Sequence, residues 1–412
     1  MVLRCSRFNH SKVSYPCLVI ILGRGISFGD IIEHMNFDEL ALELHKKYKG
    51  KITTKLRDSE ELTRDKLSAY YTPGVAAISK AIVDDPSTLK DYTWTNNLVA
   101  VISDGSSVLG LGNIGPKASM PVMEGKALLF KHFAGIDSVP ITLDVHTPDD
   151  IVATVKAISS SFGAINLEDI GAPQCFEVEE RLKAELDIPV FHDDQHGTAV
   201  VVLAGLMNAM KVTGRELKDA KIVVSGVGAA GTAIIKLLAK YAKPRIFAVD
   251  SKGIISSNRT DLTEHKKEIL KYSNLSGIDG SLQDILQGAD IFIGVSKAGL
   301  LTAEMVKTMD KDPIIFALAN PTPEIMPDEA KTAGAAIVAT GRSDLPNQVN
   351  NALAFPGIFR GALDNDVQQI TDEHKIAAAK AIAELVENPT ADEVIPSVMN
   401  EQLVPAIAKV IV

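Results

Sequence analysis

At 412 residues the chain is longer than one hydrophobic core usually serves, so more than one domain is expected. Its formal charge of -10 at pH 7 offers no basic footprint for nucleic acid or an anionic membrane, and an apolar share of 46% fits a globular protein acting on small molecules. Cys5, Cys17 and Cys175 are too few and too scattered for a disulfide framework or a zinc cluster, which points to a reducing compartment, most simply the cytoplasm.

In chain order, residues 1–34 stand apart as a leader. Arg4, Arg7 and Lys12 precede an apolar run at 17–22 that is too short to cross a bilayer. A basic, acid-poor start is compatible with an organelle transit peptide. The simpler expectation is a start at Met35, because Asn36-Phe37-Asp38-Glu39-Leu40 opens an amphipathic helix ending near Gly50. From residue 98 onward, β-branched runs at 98–102, 139–143, 165–167, 188–191, 222–225, 246–249, 291–294 and 314–317 alternate with helical patterns. That alternation predicts an α/β fold with parallel sheets covered by helices. Thr147-Pro148-Asp149-Asp150 supplies an N-cap, a proline at the first helical position and acids in the first turn. Further helices are expected to begin near Pro121 and to connect the two halves over 197–210. The predicted organisation is an N-terminal α/β domain (35–196), a Rossmann domain (197–360) and a helical segment (361–412) that is free to pack back on the first domain.

Lys221-Ile222-Val223-Val224-Ser225 reads as a buried strand, followed by Gly226-Val227-Gly228-Ala229-Ala230-Gly231 and a helical stretch. Gly226 permits the tight turn, Gly228 lets the backbone approach a pyrophosphate, and Gly231 allows helix and strand to pack closely. A bare glycine pattern is weak evidence. With a strand before it, a helix after it and Asp250 ending the next strand, it specifies dinucleotide binding. Asp250 would accept the ribose hydroxyls and repel a 2′-phosphate, which favours NAD, while Ser251, Lys252 and Arg259 keep NADP open.

Two acidic pairs follow predicted strands, Glu168-Asp169 and Asp193-Asp194. Strand C-terminal ends share one rim in such sheets, so the pairs are expected to converge, and converging carboxylates repel unless a cation joins them. Oxygen ligands without thiolates suit Mg²⁺ or Mn²⁺. The alternative is that each pair caps a helix or faces solvent. His192 and His196 flank the second pair and are read as packing or hydrogen-bonding residues rather than ligands.

These motifs resemble malic enzyme in its short prokaryotic-type form. The resemblance spans nearly everything after Met35. It rests on Tyr70-Tyr71-Thr72-Pro73-Gly74-Val75, Leu109-Gly110-Leu111-Gly112-Asn113-Ile114-Gly115, Val122-Met123-Glu124-Gly125-Lys126 and Asn166-Leu167-Glu168-Asp169. It continues through Phe191-His192-Asp193-Asp194-Gln195-His196-Gly197-Thr198, Ala319-Asn320-Pro321-Thr322-Pro323 and Asn350-Asn351. It implies metal-dependent oxidative decarboxylation of malate to pyruvate, with hydride passing to NAD, by a homodimer. It further implies that Glu168, Asp169 and Asp194 hold the metal, that Lys126 is the base and Tyr71 the acid, and that Asp193 orients Lys126. Asn320 is expected to contact substrate and nicotinamide, with the choice between Asn350 and Asn351 open. One departure matters: long-form malic enzymes carry an arginine where this chain has Ser106-Ser107, so the clamp on the substrate carboxylate must differ. The competing readings are another nicotinamide dehydrogenase, such as one acting on an amino acid or a methylene-tetrahydrofolate, and a non-catalytic nicotinamide sensor. Neither has a use for Tyr71, Lys126 and the acid cluster together.

Overall fold

The structure is a computed structural model that describes residues 37–108 and 110–412. The leader, its apolar run and the Met35 start lie outside the described residues. Two compact units divide between Gly50 and Lys51. In the first, helix Phe37–Tyr48 carries Asp38 and Glu39 in its opening turn and His45, Lys46 and Lys47 in its last, the charge order the helix dipole favours.

The second unit holds two sheets. Strands β1 (Leu98–Ser103), β2 (Asp137–Thr142), β3 (Ala164–Leu167) and β4 (Val190–His192) run parallel in the order β2-β1-β3-β4. The other strands are β5 (Lys221–Ser225), β6 (Arg245–Asp250), β7 (Gly253–Ile254), β8 (Ile291–Gly294), β9 (Ile314–Ala317) and β10 (Ile337–Thr340). They are ordered β10-β9-β8-β5-β6-β7, and the β6–β7 pair alone is antiparallel. All eight expected runs are strands. The run at 188–191 is shifted to Val190–His192 because Pro189 has no N–H to give, although its carbonyl still accepts from Ile165 at 2.9 Å. Strand β10 was not expected, since its alanine-rich surroundings weaken the strand pattern.

Two helix starts also differ from expectation. The helix placed near Pro121 begins at Gly115 and runs to Ala134, with Pro116 in its first turn and Pro121 inside it. Pro116 fits that turn, where a missing N–H costs nothing. The connecting helix spans Asp193–Thr213, so Asp193 and Asp194 occupy its opening turn. Most of its length is buried, and it packs against helices Ala229–Tyr241 and Asp372–Glu384.

Helix Phe355–Asp364 lies on helix Gly115–Ala134, with Phe130 edge-on to Phe355 at 4.7 Å and to Phe359 at 5.1 Å between ring centroids. Arg360 Nη1 donates to Asn97 Oδ1 at 2.6 Å, anchoring the same helix to the chain just before β1. No helix among the described residues is long and apolar enough to cross a membrane.

Candidate active site

Strands β3 and β4 are neighbours, so the residues that leave their C-terminal ends meet. Glu168 and Asp169 follow β3, and Asp193 and Asp194 follow β4. Glu168, Asp169 and Asp194 each bring a carboxylate oxygen to within 4.8 Å of the others. Asp169 adopts φ 53°, a left-handed conformation that aspartate tolerates better than most residues, and its N–H donates to Asp194 Oδ2 at 2.7 Å. Burial and the nearby Asp194 push the Glu168 carboxyl well above its usual range. Three convergent carboxylates without thiolate or imidazole match the donor set of a hard divalent cation.

Lys126 enters from the facing helix, its ammonium 3.0 Å from Glu168 Oε1 and 2.5 Å from Asp193 Oδ2. It also donates to Asn351 Oδ1 at 3.2 Å and lies 4.7 Å from the Phe355 ring centre. Burial opposes its charge, but Asp193 and Glu168 outweigh that and hold it above the ordinary lysine range. The paired asparagines thus divide their work: Asn351 touches Lys126, while Asn350 Oδ1 caps the next turn by accepting from Ala352 N at 2.9 Å. Gly197 sits one turn beyond Asp193, and a Cβ there would come within 1.9 Å of Asp193 Oδ1.

Behind the acids lies Glu179, which the sequence reading passed over. It is buried, and it accepts from His192 N at 3.1 Å, Gln195 Nε2 at 3.2 Å and His196 Nε2 at 2.8 Å, with Lys183 Nζ at 2.9 Å. Burial works against its charge, but His196 and Lys183 bring it well below the usual carboxylate range. Burial pushes His196 down to about 4, so its ring is neutral at pH 7 and the proton sits on Nε2, facing a carboxylate that can only accept.

The dinucleotide turn forms as read. Gly226 has φ 108°, and a Cβ on Gly231 would lie 1.9 Å from the Gly226 carbonyl oxygen. Asp250 ends β6 and is saturated: Arg259 holds both oxygens at 2.8 and 3.1 Å, Lys266 Nζ approaches Oδ2 at 2.6 Å, and Lys252 N donates to Oδ1 at 2.9 Å. These donors bring its pKa down to about 2 against the opposing effect of burial. Two cavities adjoin at Gly228 and Ser296. One, of ≈ 890 Å³, contains Asp250. The other, of ≈ 850 Å³, is lined by Lys126, Glu168, Asp169, Asp194, Asn320, Asn350 and Asn351 together with Gly228 and Gly231.

Tyr71 is not brought to this cavity. It is 67% exposed and lines neither cavity, whereas its neighbour Tyr70 is tied to Asp58 Oδ2 at 2.9 Å. Leu56, Leu62, Tyr70, Val83 and Trp94, in the same stretch of chain, are exposed as well. Two further residues were missed. Lys51 lines the acidic cavity, its Nζ donating to Pro121 O at 2.7 Å in space left by Gly125. Glu324, fully buried, accepts from Ser296 N and Ala319 N at 2.9 and 3.0 Å and so fixes the loop carrying Asn320. Lys51 is found only through a contact with a segment 70 residues away, and Glu324 through its burial beneath two loops.

A parallel-sheet fold whose glycine turn opens beside a buried lysine and a carboxylate triad defines a dinucleotide-binding oxidoreductase with a convergent acidic cluster in its cavity. Family models for malic enzymes match it, the NAD binding domain over residues 195–411 and the N-terminal domain over 48–149 and 146–183. The bifunctional malic/malolactic enzyme of Bacillus subtilis is 55% identical over 380 residues, 92% of each chain. An NADP-dependent malic enzyme of Rhizobium meliloti is 52% identical over 81% of this chain, which spans 44% of that longer protein. The crystal structure of an NAD-dependent malic enzyme from Thermotoga maritima superposes with a TM-score of 0.87 at 50% identity, covering 90% of this chain and 98% of that one. The chain belongs to the malic enzyme family, in its short prokaryotic-type form.

Proposed function

We propose that the chain catalyses oxidative decarboxylation of malate to pyruvate and carbon dioxide, with NAD as hydride acceptor and Mg²⁺ or Mn²⁺ held by Glu168, Asp169 and Asp194. One observation carries this reading: the acid triad, Lys126 and the Gly228–Gly231 end of the dinucleotide turn line a single cavity. The cation would offset the carboxylates that hold Lys126 protonated, and polarise the substrate's C2 oxygen and the charge left when the far carboxylate departs. Lys126 takes the C2 hydroxyl proton, steered by Asp193. Asn320 and Asn351 face the same space and orient substrate and nicotinamide through their amides. Lys51 supplies a positive charge for a substrate carboxylate, in the absence of the long-form arginine. In this reading the substrate and metal chemistry belongs to 35–196 and the dinucleotide to 197–360, with 361–412 bracing the first, in a cytoplasmic enzyme.

Tyr71 serves as the acid that returns a proton to the enol. Its exposure, and its absence from both cavities, support a homodimer in which Tyr71 reaches the cavity of the second copy. NADP is a second reading with its own observation: Arg259 and Lys266, now paired with Asp250, are cations that a 2′-phosphate would meet. Protein mixed with malate, Mn²⁺ and either NAD or NADP tests both. Nicotinamide reduction with pyruvate formation is expected, faster with NAD. Absence of both products refutes the function, and a preference for NADP refutes the acceptor.

A further inference from the structure

Glu179 sits where it can govern the metal-site acids without touching a substrate. Asp193 and Asp194 are bracketed in sequence by His192 on one side and by Gln195 and His196 on the other, and Glu179 binds all three. The N–H of His192 is held just ahead of the helix, and the Gln195 and His196 side chains are held one and two residues beyond the acidic pair. A single buried carboxylate therefore fixes the opening turn from which both acids project. The backbone of that turn has no helical partners for its first N–H groups, and Asp194 must keep its Oδ2 on Asp169 N while its carboxylate stays near Glu168. Lys183 completes the set from one turn along Glu179's own helix, Gln174–Glu185, without touching the acidic pair. With four donors on its two oxygens, the carboxylate is fully satisfied despite its burial.

We propose that Glu179 is a positioning residue for the divalent-cation site: it sets the direction of Asp193 and Asp194 by clamping His192, Gln195 and His196. The inference rests on the metal reading above. Residues that orient ligands in this way typically carry about 10- to 100-fold in metal affinity.

The test is Mn²⁺ binding, followed by calorimetry on the full chain, with NAD binding measured in parallel. Glu179→Gln is near-isosteric but loses the charge and presents an amide to donors. It is expected to raise the Mn²⁺ Kd about 10-fold or more while leaving the NAD Kd within twofold. Gln195→Met keeps Glu179 and its other donors, so it preserves the folded turn and is expected to weaken Mn²⁺ binding by a smaller factor. Lys236→Met breaks the Lys236–Glu268 pair, which touches neither Glu179 nor the acids, and should leave the Mn²⁺ Kd unchanged. Unaltered Mn²⁺ affinity in both Glu179→Gln and Gln195→Met overturns the proposal. So does a parallel loss of Mn²⁺ and NAD affinity, which would mean general damage. Failure of the unaltered chain to bind Mn²⁺ at all would instead overturn the metal reading.

Discussion

The separation of Tyr71 from Lys126 makes a sharp prediction. Lys126 is buried among carboxylates, whereas Tyr71 is 67% exposed on a different surface. If each cavity takes its tyrosine from the opposite copy, a dimer of one Tyr71→Phe chain and one Lys126→Ala chain has one cavity with both defects and one with none. Mixed dimers obtained by co-expressing two differently tagged chains and selecting for both tags should then show roughly half the native turnover per dimer. Each variant alone should retain about 10⁻² or less, because each lacks a proton-transferring group. The expected recovery is therefore on the order of 50-fold above either variant, well beyond assay scatter. If Tyr71 acts within its own chain, every cavity in the mixed dimer carries one defect and no recovery occurs. Mixed dimers no more active than the separate variants would refute the arrangement, and a monomer in sedimentation would refute it sooner.

Other outcomes follow from single sites. Lys126→Ala should lower turnover about 10²-fold or more with NAD affinity intact, and near-normal turnover would remove its role as base. Lys51→Ala should raise the KM for malate with little change in kcat or in the KM for NAD, and Lys51→Arg should restore much of it; steady-state kinetics reads all three. Phe130 is fully buried against Phe355 and Phe359, so Phe130→Ala should cost about 3–5 kcal/mol in denaturant unfolding. Burial pushes the Cys175 thiol up to about 12 from 9.0, so the folded state disfavours the thiolate. This contribution to stability is present below pH 9 and is lost as pH rises toward 12. Mass spectrometry should accordingly find the Cys175 peptide unalkylated in native protein at pH 8 and modified after unfolding.

What could be read from the chain was what local chemistry dictates. The dinucleotide turn is specified by a strand, three glycines and an acid within 30 consecutive residues, and both acidic pairs leave adjacent strands of one parallel sheet. Long-range geometry was not legible. Lys126 and Asn351 are 225 positions apart and Glu179 reaches three residues of another helix's start, so no periodicity links them. The helix start at Gly115 was missed because Pro121 carries the same first-turn signal as Pro116, and only the interior position tells them apart. Tyr71 shows the limit differently. Its motif resembles that of a proton donor, yet it is exposed and lines neither cavity, a placement no local pattern encodes.

The charges in the cavity also dictate an order of binding. Glu168, Asp169, Asp193 and Asp194 face the ammonium of Lys126, so full ionisation would leave a formal charge of about -3, a repulsion that already raises the Glu168 carboxyl above its usual range. A dianionic substrate entering that field meets repulsion of about 4 kcal/mol for each unopposed pair at 4 Å and an effective dielectric of 20, more than one lysine can offset. A divalent cation reduces the cluster to about -1, and Lys51 then provides the remaining attraction for a carboxylate. The dinucleotide is less constrained, because its pyrophosphate would meet the amide donors at the N-terminus of helix Ala229–Tyr241. Malate should accordingly bind measurably only once the cation is present, while NAD binds without it. Calorimetric titration of malate into metal-free protein is therefore expected to give no heat, and saturable binding there would show that proton uptake by the acids is enough to admit the substrate without a cation.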